Sequence, residues 1–278
     1  VAKDAKIVIS FSEAMNRQAT ELAYQSADMP AVTFTWSNGD TTLEIDPVGD
    51  LEYTNSGKVY TFKLKNTATD LAGNALNAFT SSFATFRELT RTIESSPTLD
   101  GDIRSDGAVN NSGCPTICVG DSGAVDNAQY KGFVSFDLSS LETEGLTVPD
   151  RITSSTLRVF QNDVVSSPYT DLVLGSKHLL AAHVDYGALL SANDFNTPIL
   201  HDLGDLSTDT ALEYKTNPNA LESVRDDWAN RTTRKNRSQF MLYFPLATDG
   251  DGIADVAHFN SSDDASNHPE LKVKFLVP

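Results

Sequence analysis

Between Tyr130 and Gln161 apolar and polar positions alternate with a period of two. Val134, Phe136 and Leu138 recur at every second residue with Ser135 and Asp137 between them, which predicts a strand with one buried face. Leu157 and Val159 alternate with Thr156 and Arg158 in a second strand. The connection from Glu142 to Asp150 carries Gly145 and Pro149, which do not suit a central strand, so the chain turns over the surface before it re-enters the sheet. Leu179 to Val184 reads as a further strand. Phe240, Leu242 and Phe244 alternate with Met241 and Tyr243, apolar on both faces, as in a strand at the centre of a sheet. Leu271, Val273 and Phe275 against Lys272 and Lys274 predict a half-exposed closing strand. The one helical period is in Asn219 to Asn230, where Leu221, Val224 and Trp228 stand three and four residues apart.

The first third of the chain shows the same two-residue period. Ile7, Ile9 and Phe11 share one face of a strand. Val32, Phe34 and Trp36 share one face of another, Asn38-Gly39 turns the chain, and Leu43 and Ile45 resume the alternation. Asn-Gly accepts the positive φ angles that a hairpin turn demands. Tyr60, Phe62 and Leu64 alternate with Thr61, Lys63 and Lys65, and a polar loop follows around Asp70, Gly73 and Asn74. From Arg87 to Pro97 the alternation lapses and the segment ends in Ser-Ser-Pro, which reads as a linker over 88–97.

Two resemblances follow from these stretches. FSEAM (Phe11 to Met15), TWSNGDTTLEIDP (Thr35 to Pro47), VYTFKL (Val59 to Leu64), DLAGNAL (Asp70 to Leu76) and FATF (Phe83 to Phe86) together resemble the bacterial Ig-like domain of the SbsA type. KGFVSFDLSSL, ITSSTLRVFQ, the HVDYG stretch at His183 to Gly187 and the closing HPELKVKF from His268 to Phe275 resemble DNRLRE modules, some of which are classed as carbohydrate-binding modules. The resemblances imply an all-β chain: an Ig-like β-sandwich over 1–87, then a larger jelly-roll β-sandwich over 98–278 with one short helix. Ig-like domains of this type usually carry a Pro- and Gly-containing lead-in strand, where this chain has only Val1 to Ala5. Either the chain is cut from a longer protein or another segment fills the edge beside Ile7, Ile9 and Phe11; left open, that edge is a template for a strand from another chain. The start at Val1, without Met or a signal peptide, reads as a mature or excised segment.

The formal net charge of −17 argues against nucleic acid, because phosphate binding needs a basic surface. No apolar run approaches the roughly 20 residues of a membrane helix. Surplus Asp solubilises a surface, and Asp in loops is also the raw material of calcium sites. The two cysteines, Cys114 and Cys118, lie four apart in a loop. They read as a short-range disulfide in an oxidising compartment, or more weakly as part of a metal site, although none of the five histidines stands at ligand spacing near them.

The sharpest chemical motif is TDGDGIADVAHF. Asp249, Asp251 and Asp255, with glycines that let the backbone curl, place hard oxygens for one Ca2+; a turn between strands would use the same residues. Asp100, Asp102 and Asp106 form a second, weaker candidate. His183 and Asp185 fall on one side of a strand and read as a core-and-turn pair more readily than a catalytic one, since no nucleophile stands nearby. Trp228 at helical spacing reads as a core anchor before a sugar-stacking residue. No nucleophile elbow, zinc-protease motif, P-loop or dinucleotide fingerprint is present. The expectation is a non-enzymatic extracellular protein, a structural or adhesive part of a bacterial or archaeal cell-surface assembly. Its partners would be other copies of itself or neighbouring surface proteins. The alternative is a carbohydrate-binding segment of a secreted polysaccharide-active protein.

Overall fold

In a computed structural model of the chain, described for residues 1–111, 113, 115–123 and 127–278, strands hold 44% of the residues and helices 13%, so the fold is all-β with sandwich-like layers. The chain divides into two compact units, 1–89 with 276–278, and 90–275.

The first unit contains β1 (Ile7–Ser10), α1 (Arg17–Ala23), β2 (Tyr24–Gln25), β3 (Val32–Ser37), β4 (Thr42–Pro47), β5 (Val59–Leu64) and β6 (Phe79–Ala84). Its two three-stranded sheets run β1-β4-β3 and β2-β5-β6. Ile7, Leu43, Ile45 and Phe62 form the buried core between them, with Ile9, Phe11, Phe34, Trp36 and Phe79 packed around it. The hairpin register Ser37↔Thr42 leaves a four-residue loop, and Asn38, Gly39 and Asp40 all adopt positive φ. α1 falls outside the expected pattern. It is capped by Asn16, whose Oδ1 accepts from the Ala19 N–H at 3.1 Å, and it buries Thr20 and Ala23. The DLAGNAL loop is held by Asp70, whose carboxylate accepts from the Asn74 backbone N–H at 2.8 Å and from its side-chain amide at 2.6 Å. The Asn74 side-chain bond holds the Asp70 carboxyl below the usual carboxylate range.

β7 (Arg87–Glu94) occupies most of the stretch that reads as a linker. The correction has a physical reason: RELTRTIE is an eight-residue β-prone run whose pairing with a neighbouring strand does not require a buried apolar face. The second unit then follows with β8 (Gly101–Arg104), β9 (Val109–Asn110), β10 (Thr116–Asp121), β11 (Gln129–Asp137), α2 (Ser139–Thr143), β12 (Ile152–Val165), α3 (Pro168–Asp171), β13 (Leu179–Val184), β14 (His201–Ser207), β15 (Tyr214–Asn217), α4 (Leu221–Ala229), β16 (Arg237–Tyr243), β17 (Asp255–Asn260) and β18 (Glu270–Val277). The strand path is β14-β13-β16-β11-β10-β17-β12-β18-β7, with β15 on β12 and β8 on β11.

The 14-residue β12 changes partners along its length. Its first half pairs with β18, and from Gln161 to Val165 it pairs with β17 through a bulge between Gln161 and Asp163. The inward residues Leu157 and Val159 are fully buried. β11 departs from the half-buried reading: Ser135 is as buried as Phe136, and it is accommodated because its Oγ accepts from the Gln239 side-chain amide at 3.2 Å. Helices are short: besides α4, the second unit has α2, α3 and three 3-10 helices at Pro149–Arg151, Ala192–Asn196 and Pro218–Ala220 among the described residues.

Candidate metal centre

Three loops of the second unit converge where β17 begins. Asp255 opens that strand and is 1% exposed, and Asp249 lies on the exposed loop before it. Asp171 ends α3. One carboxylate oxygen from each of Asp171, Asp249 and Asp255 lies within 4.8 Å of the other two. The backbone fixes this convergence. Asp255 Oδ1 accepts from the Ser167 N–H at 2.7 Å, which ties the entry of α3 to the strand, and the Leu246 N–H donates to Leu172 O at 3.3 Å, which ties in the chain leading to Asp249.

A fourth carboxylate stands alongside. Asp121, fully buried, is the cross-strand partner of Asp255 in the β10–β17 ladder, so the two side chains project from the same face. Asp121 Oδ1 accepts from the Gly123 N–H at 2.9 Å. The Oδ2 atoms of both Asp121 and Asp255 are buried with no hydrogen-bond partner among the described residues. Buried charges are ordinarily paired or bound to a metal, and like charges directly opposite one another in a ladder repel. The chain is pressed tightly here: a Cβ at Gly123 would meet the Ala254 N at 1.9 Å, and one at Gly120 would meet Asp255 O at 2.0 Å. Only glycine admits this approach, and it holds the two acidic strand ends together.

Two of the three carboxylates that the motif suggests are therefore together, and the third is not. Asp251 Oδ1 accepts from the Ile253 N–H at 2.6 Å, and Asp249 Oδ1 accepts from the Asp251 N–H at 3.1 Å, so this part of the loop is a pair of Asx turns. Asp171 takes the place expected of Asp251. Neither Asp171 nor Asp121 carries a local signal, because each is far from the motif in sequence. The residues present fit a hard cation: all the donors are carboxylate oxygens, and two of these are buried without hydrogen-bond partners among the described residues.

The second acidic stretch is arranged differently. Asp100 Oδ2 accepts from Ser95 Oγ at 2.6 Å, the Ser262 N–H at 2.8 Å and Ser262 Oγ at 2.7 Å. Asp102 Oδ2 accepts from the Cys118 N–H and the Asn110 side-chain amide, both at 3.1 Å. Asp106 pairs with Arg104 at 2.7 Å. Burial pushes the Asp100 and Asp102 carboxyls above the usual range, opposed by these donors. The three do not gather around one point among the described residues.

His183 is fully buried, and both carboxylate oxygens of Asp227 lie 2.9 Å from its Nε2. Asp185 is exposed and reaches this group only through Arg234, 3.9 Å away. Trp228 is fully buried, a core anchor of α4. The Cys114–Cys118 pair includes Cys114, which lies outside the described residues; Cys118 sits on β10.

The edge beside Ile7, Ile9 and Phe11 lies in the first unit. Ile7 is 8% exposed and faces the core, whereas Val8 between the inward residues is 61% exposed. β1 pairs only with β4 among the described residues. It and β6 are the terminal strands of their sheets, and a groove of about 470 Å³ of mixed character lies beside them, lined by Ile9, Phe11 and Phe79 together with Ser10, Glu13 and Asn74.

Residues 1–85 match the family model of the bacterial Ig-like domain. The match spans the six strands of the two small sheets, so the Ig-like domain and the first compact unit cover nearly the same residues. No curated protein matches the chain.

Proposed function

We propose that the chain is a non-enzymatic structural or adhesive segment of an extracellular cell-surface assembly, in which the Ig-like domain joins other copies or neighbouring surface proteins along β1. A bacterial Ig-like domain suggests a surface or extracellular protein, and no helix among the described residues is long and apolar enough to cross a membrane. The observation that carries the reading is the open β1 edge beside a groove in which the apolar Ile9, Phe11 and Phe79 are mixed with Ser10, Glu13 and Asn74. A strand entering there would take up the outward backbone groups of β1 and bury alternate side chains against Ile9, Phe11 and Phe79. Val1 meets the end of β6, where its ammonium donates to Ala84 O at 2.6 Å.

The second unit supplies a sandwich braced by Ca2+. Asp171, Asp249 and Asp255, with Asp121 beside them, would hold the ion, which supplies the positive charge that the two buried carboxylates lack. An oxidising exterior also allows Cys114 and Cys118 to pair, and intact-mass measurement with and without reductant reads this directly. The carbohydrate-binding alternative draws little support from the tryptophans. Trp228 is fully buried, and Trp36 is half-buried, with Phe11 stacked at 6.0 Å and its indole N–H donating to Glu21 at 2.8 Å.

Sedimentation velocity over a concentration series tests the assembly reading. The chain is expected to associate as concentration rises, and Val8→Lys and Ser10→Lys, which place charge on an edge strand without entering the core, are expected to keep it monomeric. A wild-type chain that stays monomeric throughout, or variants that associate as wild type does, would overturn it.

A further inference from the structure

His183, His201 and Asp226 come from three elements, β13, β14 and α4. One nitrogen of each ring and one carboxylate oxygen of Asp226 all lie within 4.8 Å of one another. The two histidines are cross-strand partners at the end of the β13–β14 ladder, with ring planes 13° apart and centroids 5.2 Å apart. Their Nδ1 atoms face each other at 3.1 Å.

The protonation pattern of His183 follows from its surroundings. A carboxylate only accepts, so the contact with Asp227 places the hydrogen on His183 Nε2 and leaves the Nδ1 lone pair aimed at His201. Two ring nitrogens facing each other share either one hydrogen or one cation. Nitrogens held about 2.0–2.1 Å from one zinc at a tetrahedral angle stand about 3.3 Å apart, close to the spacing seen here. A carboxylate behind a ligating imidazole is also the usual arrangement that fixes the tautomer and orientation of a metal-binding histidine.

Charge points the same way. Arg234 Nη1 lies 2.7 Å from Asp226 Oδ2 and 2.6 Å from Asp227 Oδ1, and its Nε lies 3.9 Å from Asp185 Oδ2. Three carboxylates around one guanidinium leave a surplus of negative charge that a divalent cation would balance. His201 is exposed while His183 is fully buried, so the cluster is anchored on one side and open to solvent on the other. Two imidazoles and one carboxylate suit a borderline cation rather than calcium, which takes oxygen.

We infer that His183, His201 and Asp226 bind a late first-row divalent cation of the zinc class, with Asp227 as a positioning residue behind His183 and a fourth position open to water or a ligand from another molecule. The inference is independent of the assembly and calcium readings.

The test uses the full chain, stripped with chelator, dialysed and saturated with Ca2+. Calorimetric titration with Zn2+ is expected to show one bound equivalent, and Co2+ is expected to give the intense visible bands of a four-coordinate ion. His201→Ala, at an exposed position, should keep the wild-type circular dichroism spectrum and melting curve in metal-free buffer while losing both signals, and Asp226→Asn should lose them as well. Asp227→Asn should weaken zinc by about 10–100-fold, the usual effect of removing a partner behind a metal ligand. Asp249→Asn should leave zinc binding unchanged. The inference is overturned if wild type takes up no zinc, if His201→Ala binds zinc as tightly as wild type, or if bound Co2+ keeps the weak spectrum of the hexa-aqua ion.

Discussion

The stretches 100–106 and 249–255 look alike in sequence: three aspartates spaced through a glycine-containing segment. In the structure they serve opposite ends. Asp100 and Asp102 are 1% and 3% exposed, and each turns one oxygen to serine, asparagine or backbone donors. Asp249 and Asp255 meet Asp171 across loops. An orphaned oxygen does not separate the stretches, because Asp100 Oδ1 and Asp255 Oδ2 are both buried with no donor among the described residues. Both Asp100 and Asp255 accept from a donor through one oxygen, so the difference lies in the other carboxylates: two approach Asp255 within 4.8 Å, an arrangement that suits a cation, whereas Asp100 has serine donors around it. Spacing alone cannot separate the two cases, because the deciding partners, Ser262 for one and Asp171 for the other, come from remote segments.

The largest expected effect lies in the calcium response. An ion bound only by the folded state stabilises it by about 2.7 kcal/mol at 100 times its Kd. In a unit of this size that is a rise in melting temperature of roughly 5–11 °C. Asp255→Asn should abolish the rise, while Asp102→Asn should keep it. In chelator, Asp255→Asn is expected to melt no lower than wild type, because it removes a charge facing Asp121. Differential scanning calorimetry with and without Ca2+ reads both results.

A smaller effect comes from pH. The Asp100 and Asp102 carboxyls titrate above their ordinary 3.8 in the folded chain, so the folded state holds protons that the unfolded state has released. Their contribution is full below the unfolded value and is lost as pH rises through the raised folded value. Over that window the stability of the calcium-free wild type should carry a downward component with rising pH, and Asp100→Asn and Asp102→Asn should each flatten it. Denaturant melts across the acid range check this, and an unchanged slope in both variants would show that the two carboxyls are not burdened by burial.

The smallest effect belongs to Asp251. It is exposed and its carboxylate accepts from the Ile253 N–H in a local turn, so Asp251→Asn should stay within about 0.5 kcal/mol of wild type and keep the calcium response. A loss of calcium binding equal to that of Asp255→Asn would restore Asp251 to the site and remove the distinction between turn and ligand.

Much of the fold was legible wherever one residue face decides the outcome. Leu43, Ile45, Tyr60, Phe62 and Leu64 are all buried, as their alternation requires, and β13 spans the expected Leu179–Val184. Legibility ended where the partner is remote. Ser135 reads as solvent-facing because nothing local announces Gln239, and β7 reads as a linker because its pairing does not depend on a buried stripe. α1 did carry a local signal, an Asn cap before RQATELA, but it is only seven residues long. At the candidate centre, Asp249 and Asp255 were visible through their glycines, whereas Asp121 and Asp171 became neighbours only through the β10–β17 ladder and the Ser167–Asp255 bond. His201 had no signal at all, since its role depends on standing opposite His183 in a ladder.

The most direct test of the central claim is isothermal titration of Ca2+ into the chelator-stripped chain and its Asp255→Asn and Asp102→Asn variants. The account predicts one equivalent bound by wild type and by Asp102→Asn, and none by Asp255→Asn. No binding by wild type, or the same isotherm for Asp255→Asn, would contradict it.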